Sequence, residues 1–425
     1  MMEAEAGGEA TVLSLVAEWF DDRPQLLRRF LLRYHPGPRE VELTEVGSGT
    51  GSGPAARGGR RFLRRTPLPP PACPTDLRPG GIVVLLSRTL RIVDYGDART
   101  REALEGNEER AVVTARPGRL AEVIEAVEGR GREEEENRPT VAGMAWTDLA
   151  LLDLDGGGGA AAAAVPPALA EARRSLYPAR ALGGGEAAAE EAVVVVFRGR
   201  GSIGTAREAL EGAGLLRGGR KEEETETEVH CCGTAMGAAE AERLVLELRC
   251  QFSRRSASRP PPHPHPSNCT CVIVKPHAVK EGLVGQILRS VQAGGRYRIV
   301  RAATETLDRD AAAEFLAAYR AAVPALRSTV EEMCSGPVVV LEVVLRGTGG
   351  GESSIAPSSS SSGVVESFRG EVAGPWDVEV ARRLRPDSIR GRFGVDNHRN
   401  AIHCTDLEGD GRREVDFFFF RGDDA

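Results

Sequence analysis

The chain has 425 residues, enough for about three domains at a rough 150 residues each. Its 55 basic and 62 acidic residues leave a net charge of −7, which excludes a broad basic surface for nucleic acid. The acidic stretch 1–10 lacks the apolar core of a signal peptide, and the longest apolar runs, 192–197 and 338–345, fall far short of the ~20 residues that cross a bilayer, so a secreted or membrane protein is not expected.

After a tail at 1–10, the first block, 11–105, reads as β-rich. Short runs at 30–34, 40–46, 61–65, 82–86 and 90–93 are separated by turn chemistry such as His35-Pro36-Gly37-Pro38. A Gly/Ser/Ala-rich insert at 47–60 interrupts them. The block gathers no nucleophile, base and anion donor, so a binding or docking module is expected.

The second block, 108–252, and the third, 268–421, share one plan. Each opens on an apolar strand (111–115; 269–274) ending in a basic residue and a proline, Arg116-Pro117 and Lys275-Pro276. Each continues into an amphipathic helix (121–127; 283–292) and later a valine-rich strand (193–197; 338–345). Two similar copies of this alternation predict a duplicated α/β sandwich. A Pro/His-rich linker, 253–267, joins them, and a tail at 422–425 follows. Low-complexity segments at 133–136, 156–164, 183–191, 218–228 and 347–363 bury too little apolar area to order themselves and are expected as loops.

None of the eight cysteines has zinc-knuckle spacing, and Cys269 and Cys271 face one way on their strand as buried thiols would. Gly199-x-Gly201-x-x-Gly204 meets the literal dinucleotide fingerprint between a strand and a plausible helix at 205–212. No strand follows that helix before the acidic run Glu222–Glu224, so the required βαβ unit is missing. Asn268-Cys269-Thr270 fits a glycosylation acceptor but opens a core strand.

The third block carries the informative constellation. Arg390-Gly391-Arg392-Phe393 leads through Arg399-Asn400-Ala401-Ile402 to His403, then to Cys404-Thr405-Asp406 and Glu414. Phosphoryl transfer needs cations spread over phosphate oxygens and a nucleophile placed in line. Lys275, Arg369 and Arg390 can supply the charge, and Asn400 a neutral hydrogen bond. A histidine titrates near neutral pH and can act as a covalent nucleophile, with a carboxylate such as Glu414 fixing its tautomer.

This order of residues resembles the nucleoside diphosphate kinase family. Lys275-Pro276 precedes Gly282-Leu283-Val284-Gly285, Ser335-Gly336-Pro337 precedes the next strand, and Ile389-Arg390-Gly391-x-Phe393 and Arg399-Asn400-x-x-His403 follow. The resemblance implies a ferredoxin-like fold and a ping-pong reaction that passes the γ-phosphate of a nucleoside triphosphate through a phosphohistidine, with magnesium (Mg2+) held by the phosphates. Carried over by position, His403 is the phosphate acceptor and Glu414 its orienting acid. Lys275, Arg369, Arg390 and Asn400 become phosphate and sugar contacts, and Thr405 replaces the family's serine; no residue is assigned to a metal. The chain also departs from the pattern: the base-stacking aromatic falls on Ala325 or Leu326, the family tyrosine on Leu316 or Ala317, and the phosphate-binding threonine on Trp376. Losing a platform worth ~1–3 kcal/mol would weaken nucleotide binding about ten- to hundredfold.

The second block resembles a worn copy of the same family, expected to be inactive. Arg116 replaces the lysine, His230 aligns with the nucleophile and Thr227 stands in the asparagine's place. Adjacent Cys231-Cys232 with no fourth ligand argues against a metal at His230. In the first block, Trp19-Phe20, Leu31-Leu32-Arg33-Tyr34, Val41-Glu42-Leu43, Phe62-Leu63-Arg64-Arg65-Thr66 and Ile92-Val93-Asp94-Tyr95-Gly96-Asp97 resemble the DM10 domain, which implies a pleckstrin-homology-like β fold. One DM10 domain before two kinase-like domains is similar to the nucleoside diphosphate kinase 7 family. That domain order implies a multidomain α+β protein of the ciliary axoneme, a microtubule inner protein on the luminal wall of doublet microtubules. Its implied partners are tubulin and other luminal proteins, with no nucleic acid or membrane. A structural role with residual kinase activity is the first expectation, and an active kinase working through His403 the alternative.

Overall fold

Period-two alternation builds the N-terminal part of this computed structural model. The described residues are 12–21, 24, 26–46, 60–69, 77–79, 81–86, 88–105, 109–130, 139–148, 191–199, 202–216, 228–231, 269–319, 326–346 and 363–420, with the helical positions 169, 172, 176, 241, 243–246 and 248. The linker and low-complexity inserts lie almost wholly outside them, as do Thr227, Cys232 and Ala325. The chain divides into one unit at 1–108 and another at 109–425.

The first unit holds β1 (Leu13–Asp21), β2 (Leu26–His35), β3 (Glu40–Val46), β4 (Arg60–Pro67), β5 (Ile82–Leu85), β6 (Arg88–Tyr95) and α1 (Ala98–Glu105). The strands form one antiparallel sheet in the order β4-β3-β2-β1-β6-β5. Alternate residues share a face of a strand, so Leu15 and Ala17, Phe30, Leu32 and Tyr34, Val41 and Leu43, and Leu90 and Ile92 meet in one buried cluster. Strand β1 and helix α1 are absent from the sequence expectation. Leu13-Ser14-Leu15-Val16-Ala17 puts apolar groups on both faces, so β1 shows no clean alternation until β2 and β6 flank it.

In the second unit, one half comprises β7 (Glu109–Ala115), α2 (Leu120–Arg130), β8 (Thr140–Asp148), β9 (Glu191–Gly199), α3 (Ser202–Gly212) and β10 (Val229–Cys231). The other half opens with β11 (Cys269–Val274), α4 (Pro276–Lys280), α5 (Val284–Gln292), β12 (Tyr297–Thr306), α6 (Arg309–Phe315) and α7 (Leu326–Met333). It continues with β13 (Pro337–Leu345), α8 (Val364–Phe368), α9 (Val378–Leu384), α10 (Ile389–Phe393), β14 (Ile402–Cys404) and α11 (Gly411–Phe419).

The strand order is β10-β7-β9-β8-β12-β13-β11-β14, which runs fourth-first-third-second in one half and the reverse in the other. Each half thus has the strand order of a ferredoxin-like sandwich. The halves, expected from sequence as separate domains, share this one sheet through the pairing of Ala145 in β8 with Ala303 in β12. They also share a core in which Val123, Ile124 and Val127 of α2 join Ile287, Leu288 and Val291 of α5. The Gly285 amide donates to Glu128 Oε2 at 2.9 Å, and Arg289 pairs with Glu125 across the same seam. A Cβ at Gly285 would overlap the Glu125 backbone, so only glycine allows this approach of α2 and α5. After β9 and α3, the next described strand, β10, pairs antiparallel with β7, and the Gly199–Gly204 segment therefore opens no dinucleotide-type βαβ unit.

Candidate active site

Strand β14 is three residues long, and its alternation decides where its histidine points. Ile402 and Cys404 turn into the core shared by the halves, and His403 therefore turns to the other face of the sheet. There its ring meets the edges of Phe315 and Tyr319, with centroids 5.1 and 5.3 Å away. Glu414, in the first turn of α11, lies with Oε2 3.1 Å from His403 Nε2. The same oxygen accepts from the Thr405 hydroxyl at 2.9 Å, and Oε1 accepts from the Tyr319 hydroxyl.

Burial works against the Glu414 charge, but the hydrogen bonds from His403, Tyr319 and Thr405 outweigh it and hold the carboxyl below the usual carboxylate range. An ionised Glu414 only accepts, so His403 Nε2 carries the proton and Nδ1 keeps the lone pair. Burial pushes the Tyr319 hydroxyl far above its ordinary value, which keeps it a donor.

A second group of side chains surrounds the same cleft, a space of about 430 Å³ open to solvent and lined by Lys275, Tyr319, Trp376, Arg390, Asn400 and His403 among others. Lys275 directly follows β11, and its Nζ donates to Asn400 Oδ1 and to the His398 carbonyl, each at 2.7 Å. Burial, reinforced by the Arg390 charge, lowers its ammonium to about 7. Arg390 Nη1 donates to the Gly374 carbonyl at 2.9 Å, while its buried Nε has no partner within the protein. Asn400 Nδ2 donates to the Trp376 carbonyl at 3.2 Å.

The structure therefore gathers Lys275, Arg390, Asn400 and His403 at one cleft, with Glu414 directly behind the histidine. Two of the expected nucleotide contacts stand elsewhere. Thr405 is fully buried behind Glu414, where its hydroxyl also accepts from the Cys271 amide at 2.9 Å. Arg369 is half exposed and lies outside the lining, held by Asp406 through Oδ1 at 3.2 Å and the carbonyl at 2.8 Å. The expected tyrosine position needs correction: Leu316 lines the cleft, but Tyr319 supplies the phenol. The single turn of tighter helix at Leu316–Tyr319 carries that ring past the aligned position, a shift that motif spacing does not register. Leu326 is half-buried and packs against the core cluster that holds Phe315 and Tyr319, and Trp376 is an aromatic side chain that does line the cleft.

In the other half, β10 sets His230 opposite Thr114 as β14 sets His403 opposite Ile273. The Arg116 amide donates to the Glu228 carbonyl as the Lys275 amide does to that of Ala401, each at 2.9 Å. The Arg116 guanidinium, however, donates to the Leu176 carbonyl at 2.7 Å. Among the described residues, no three His, Cys, Asp or Glu side chains converge to hold a metal, at His230 or elsewhere.

The family profile for nucleoside diphosphate kinase matches residues 268–423. A mouse protein, nucleoside diphosphate kinase homolog 7, is 28% identical over 96% of this chain and 92% of its own length. The nucleoside diphosphate kinase of Aquifex aeolicus is 35% identical over 35% of this chain and 92% of its own. A crystal structure of that enzyme aligns at 32% identity over 36% of this chain and 96% of its own, with a TM-score of 0.30.

Proposed function

The chain belongs to the nucleoside diphosphate kinase family through its C-terminal block, and on that premise we propose that His403 carries a phosphoryl group from a nucleoside triphosphate to a nucleoside diphosphate. The observation that carries this reading is the pairing of His403 Nε2 with Glu414 Oε2 at 3.1 Å, behind a cleft that also holds Lys275, Arg390 and Asn400. In the first step the Nδ1 lone pair attacks the γ-phosphorus, the N–P bond forms, and the bond to the β-phosphate oxygen breaks and releases the diphosphate. In the second, a terminal oxygen of another diphosphate attacks the same phosphorus and the imidazole leaves.

Glu414 stabilises the imidazolium character that grows as the N–P bond forms. Arg390, always charged, and Lys275, charged once an anion enters, balance the equatorial oxygens. Asn400 offers a neutral donor. Magnesium usually binds substrate phosphates with one or two carboxylates, and Asp406 at the cleft wall fits that role; the ion would supply charge neutralisation on the transferred phosphate.

The full chain incubated with γ-labelled ATP and magnesium should gain an acid-labile label that GDP removes. His403→Ala should gain none. A label on both, or on neither at millimolar nucleotide, would refute the reading.

A second reading, first in order from sequence alone, is that the protein is a structural component of the ciliary axoneme on the luminal wall of doublet microtubules, with tubulin and other luminal proteins as partners. The match to the mouse relative along 96% of the chain favours it, since that span includes a first unit whose described residues gather no comparable cleft chemistry. On this reading, 11–105 is a DM10 module of pleckstrin-homology-like fold, and Phe20, Leu26 and Leu27, exposed at the end of the β1–β2 pair, are docking residues. Sedimentation with purified doublets tests it: binding should be lost in Leu26→Asp/Leu27→Asp and kept in His403→Ala. Absence of wild-type binding would end it.

A further inference from the structure

The main chain that delivers His403 is strained, and one pair of side chains holds it. Ala401 has φ +69°, a left-handed value that a residue with a Cβ rarely takes, and the Ile402 amide donates to the Asn400 carbonyl at 2.9 Å. These two facts define a three-residue turn of the uncommon, strained class, centred one residue after Asn400 and two before His403. Such a turn persists only where its surroundings over-determine it. Here the Ala401 carbonyl accepts from the Lys275 amide at 2.9 Å, and the Ala401 amide donates to His277 Nε2 at 3.3 Å.

His277 belongs to none of the roles assigned above. It sits in α4, two residues after Lys275, and is 7% exposed. Its Nδ1 lies 2.7 Å from Glu332 Oε1 on α7, and its own amide donates to the same oxygen at 3.2 Å. A nitrogen that accepts from an amide must carry a lone pair, so the His277 proton resides on Nδ1, where the Glu332 carboxylate accepts it. Contact with His277 in turn favours the ionised form of Glu332: burial opposes the charge, but the hydrogen bonds from the His277 ring and amide hold the carboxyl below its ordinary value.

We infer that His277, with its tautomer set by Glu332, is a positioning residue that fixes the Ala401 turn and through it the placement of Asn400 and His403. The inference rests on phosphoryl transfer at His403 for its kinetic consequence, but its structural content is separable. Glu332→Gln keeps a carbonyl oxygen where Oε1 accepts from the His277 ring and amide, whereas Glu332→Leu removes that acceptor and leaves the Nδ1 proton without a partner. His277→Gln can return an amide oxygen to the place of Nε2, whereas His277→Leu cannot.

The test uses the full chain labelled with 15N-histidine, followed by NMR and by uptake of γ-labelled phosphate. His277 should show its proton on Nδ1 in the wild type and in Glu332→Gln, and lose that single tautomer in Glu332→Leu, with the His403 signals displaced in the leucine variant. Phosphate uptake should fall about ten- to hundredfold in Glu332→Leu and His277→Leu, and stay within a few-fold of the wild type in Glu332→Gln and His277→Gln, at unchanged Tm for the two glutamine variants. Wild-type uptake rates in Glu332→Leu and His277→Leu would overturn the inference. So would a wild-type His277 protonated on Nε2, or His403 signals unmoved by Glu332→Leu. If the wild type itself takes up no label, the phosphotransfer reading falls, and the NMR signals alone decide for or against the positioning role.

Discussion

His230 and His403 end the same rung of the eight-stranded sheet. Register pairs run His230–Thr114–Val194–Ala145 in one half and His403–Ile273–Val340–Ala303 in the other, and Ala145 pairs with Ala303 at the centre. The two halves are therefore related by a local two-fold relation through that alanine pair.

The seam depends on Gly285. Gly285→Ala forces a methyl group into the Glu125 backbone and should cost about 1–3 kcal/mol, as overpacking of a close-packed contact does. Urea denaturation followed by far-UV circular dichroism would register it as a lower midpoint. An unchanged midpoint would mean that α2 and α5 do not approach as closely as described.

Charge across the seam is complementary but half exposed, which limits its worth. Glu125→Arg and Arg289→Glu should each destabilise by less than about 1 kcal/mol, and the double reversal should recover most of the loss. A double-mutant cycle with zero coupling would show that the ion pair adds nothing to the alignment of the halves.

Much of this fold is legible in the sequence where alternation or a continuous apolar run is clean. Strands β3 and β11 begin and end where their residue patterns do, and β13 starts one residue earlier than its valine run. Strands β8 and β12, which make the seam, are not legible. Thr140–Asp148 is built largely of small residues, and Tyr297–Thr306 carries Arg298 and Arg301, which read as solvent-facing until the structure places Arg301 against Glu342 inside the sheet. The motif residues around His403 are legible because their order along the chain is distinctive. Tyr319 and His277 are not, since each acts through a contact far away in sequence, with Glu414 and with Glu332 and Ala401.

The buried Arg301–Glu342 pair, with side chains 6% and 0% exposed, gives its own test. Removing one member leaves a charge without its counter-ion, so Glu342→Ala should cost about 3–5 kcal/mol. Arg301→Met/Glu342→Leu, which replaces both charges by apolar groups of similar size, should be far less harmful. Equal losses from the single and double changes, measured by thermal unfolding, would contradict this account of the pair.

Tyr319→Phe tests the support of Glu414 without touching the reacting nitrogen. It removes one of three donors to a buried carboxylate and leaves the ring edge-to-face with His403. The carboxyl should then be easier to protonate, and the acid limb of the phosphorylation rate should move to higher pH than in the wild type. A profile that coincides with the wild type would mean that Thr405 and His403 suffice to hold the Glu414 charge.

Lys275 predicts a pH dependence of opposite sense for stability and for binding. Burial lowers its ammonium from 10.5 to about 7, so between those values the unfolded chain binds the proton that the folded chain has lost. Stability from this group therefore rises as pH goes from about 7 to 10.5, and below about 7 the cost of a buried charge is fully present. An incoming polyphosphate favours the charged form, so nucleotide binding near pH 8 should take up a proton, and affinity should weaken as pH climbs above about 7. Calorimetry of ADP binding at pH 8, in two buffers of different ionisation enthalpy, reads that proton directly. Uptake of close to one proton in the wild type and of much less in Lys275→Met would locate it at this amine, whereas equal uptake in both would assign it elsewhere.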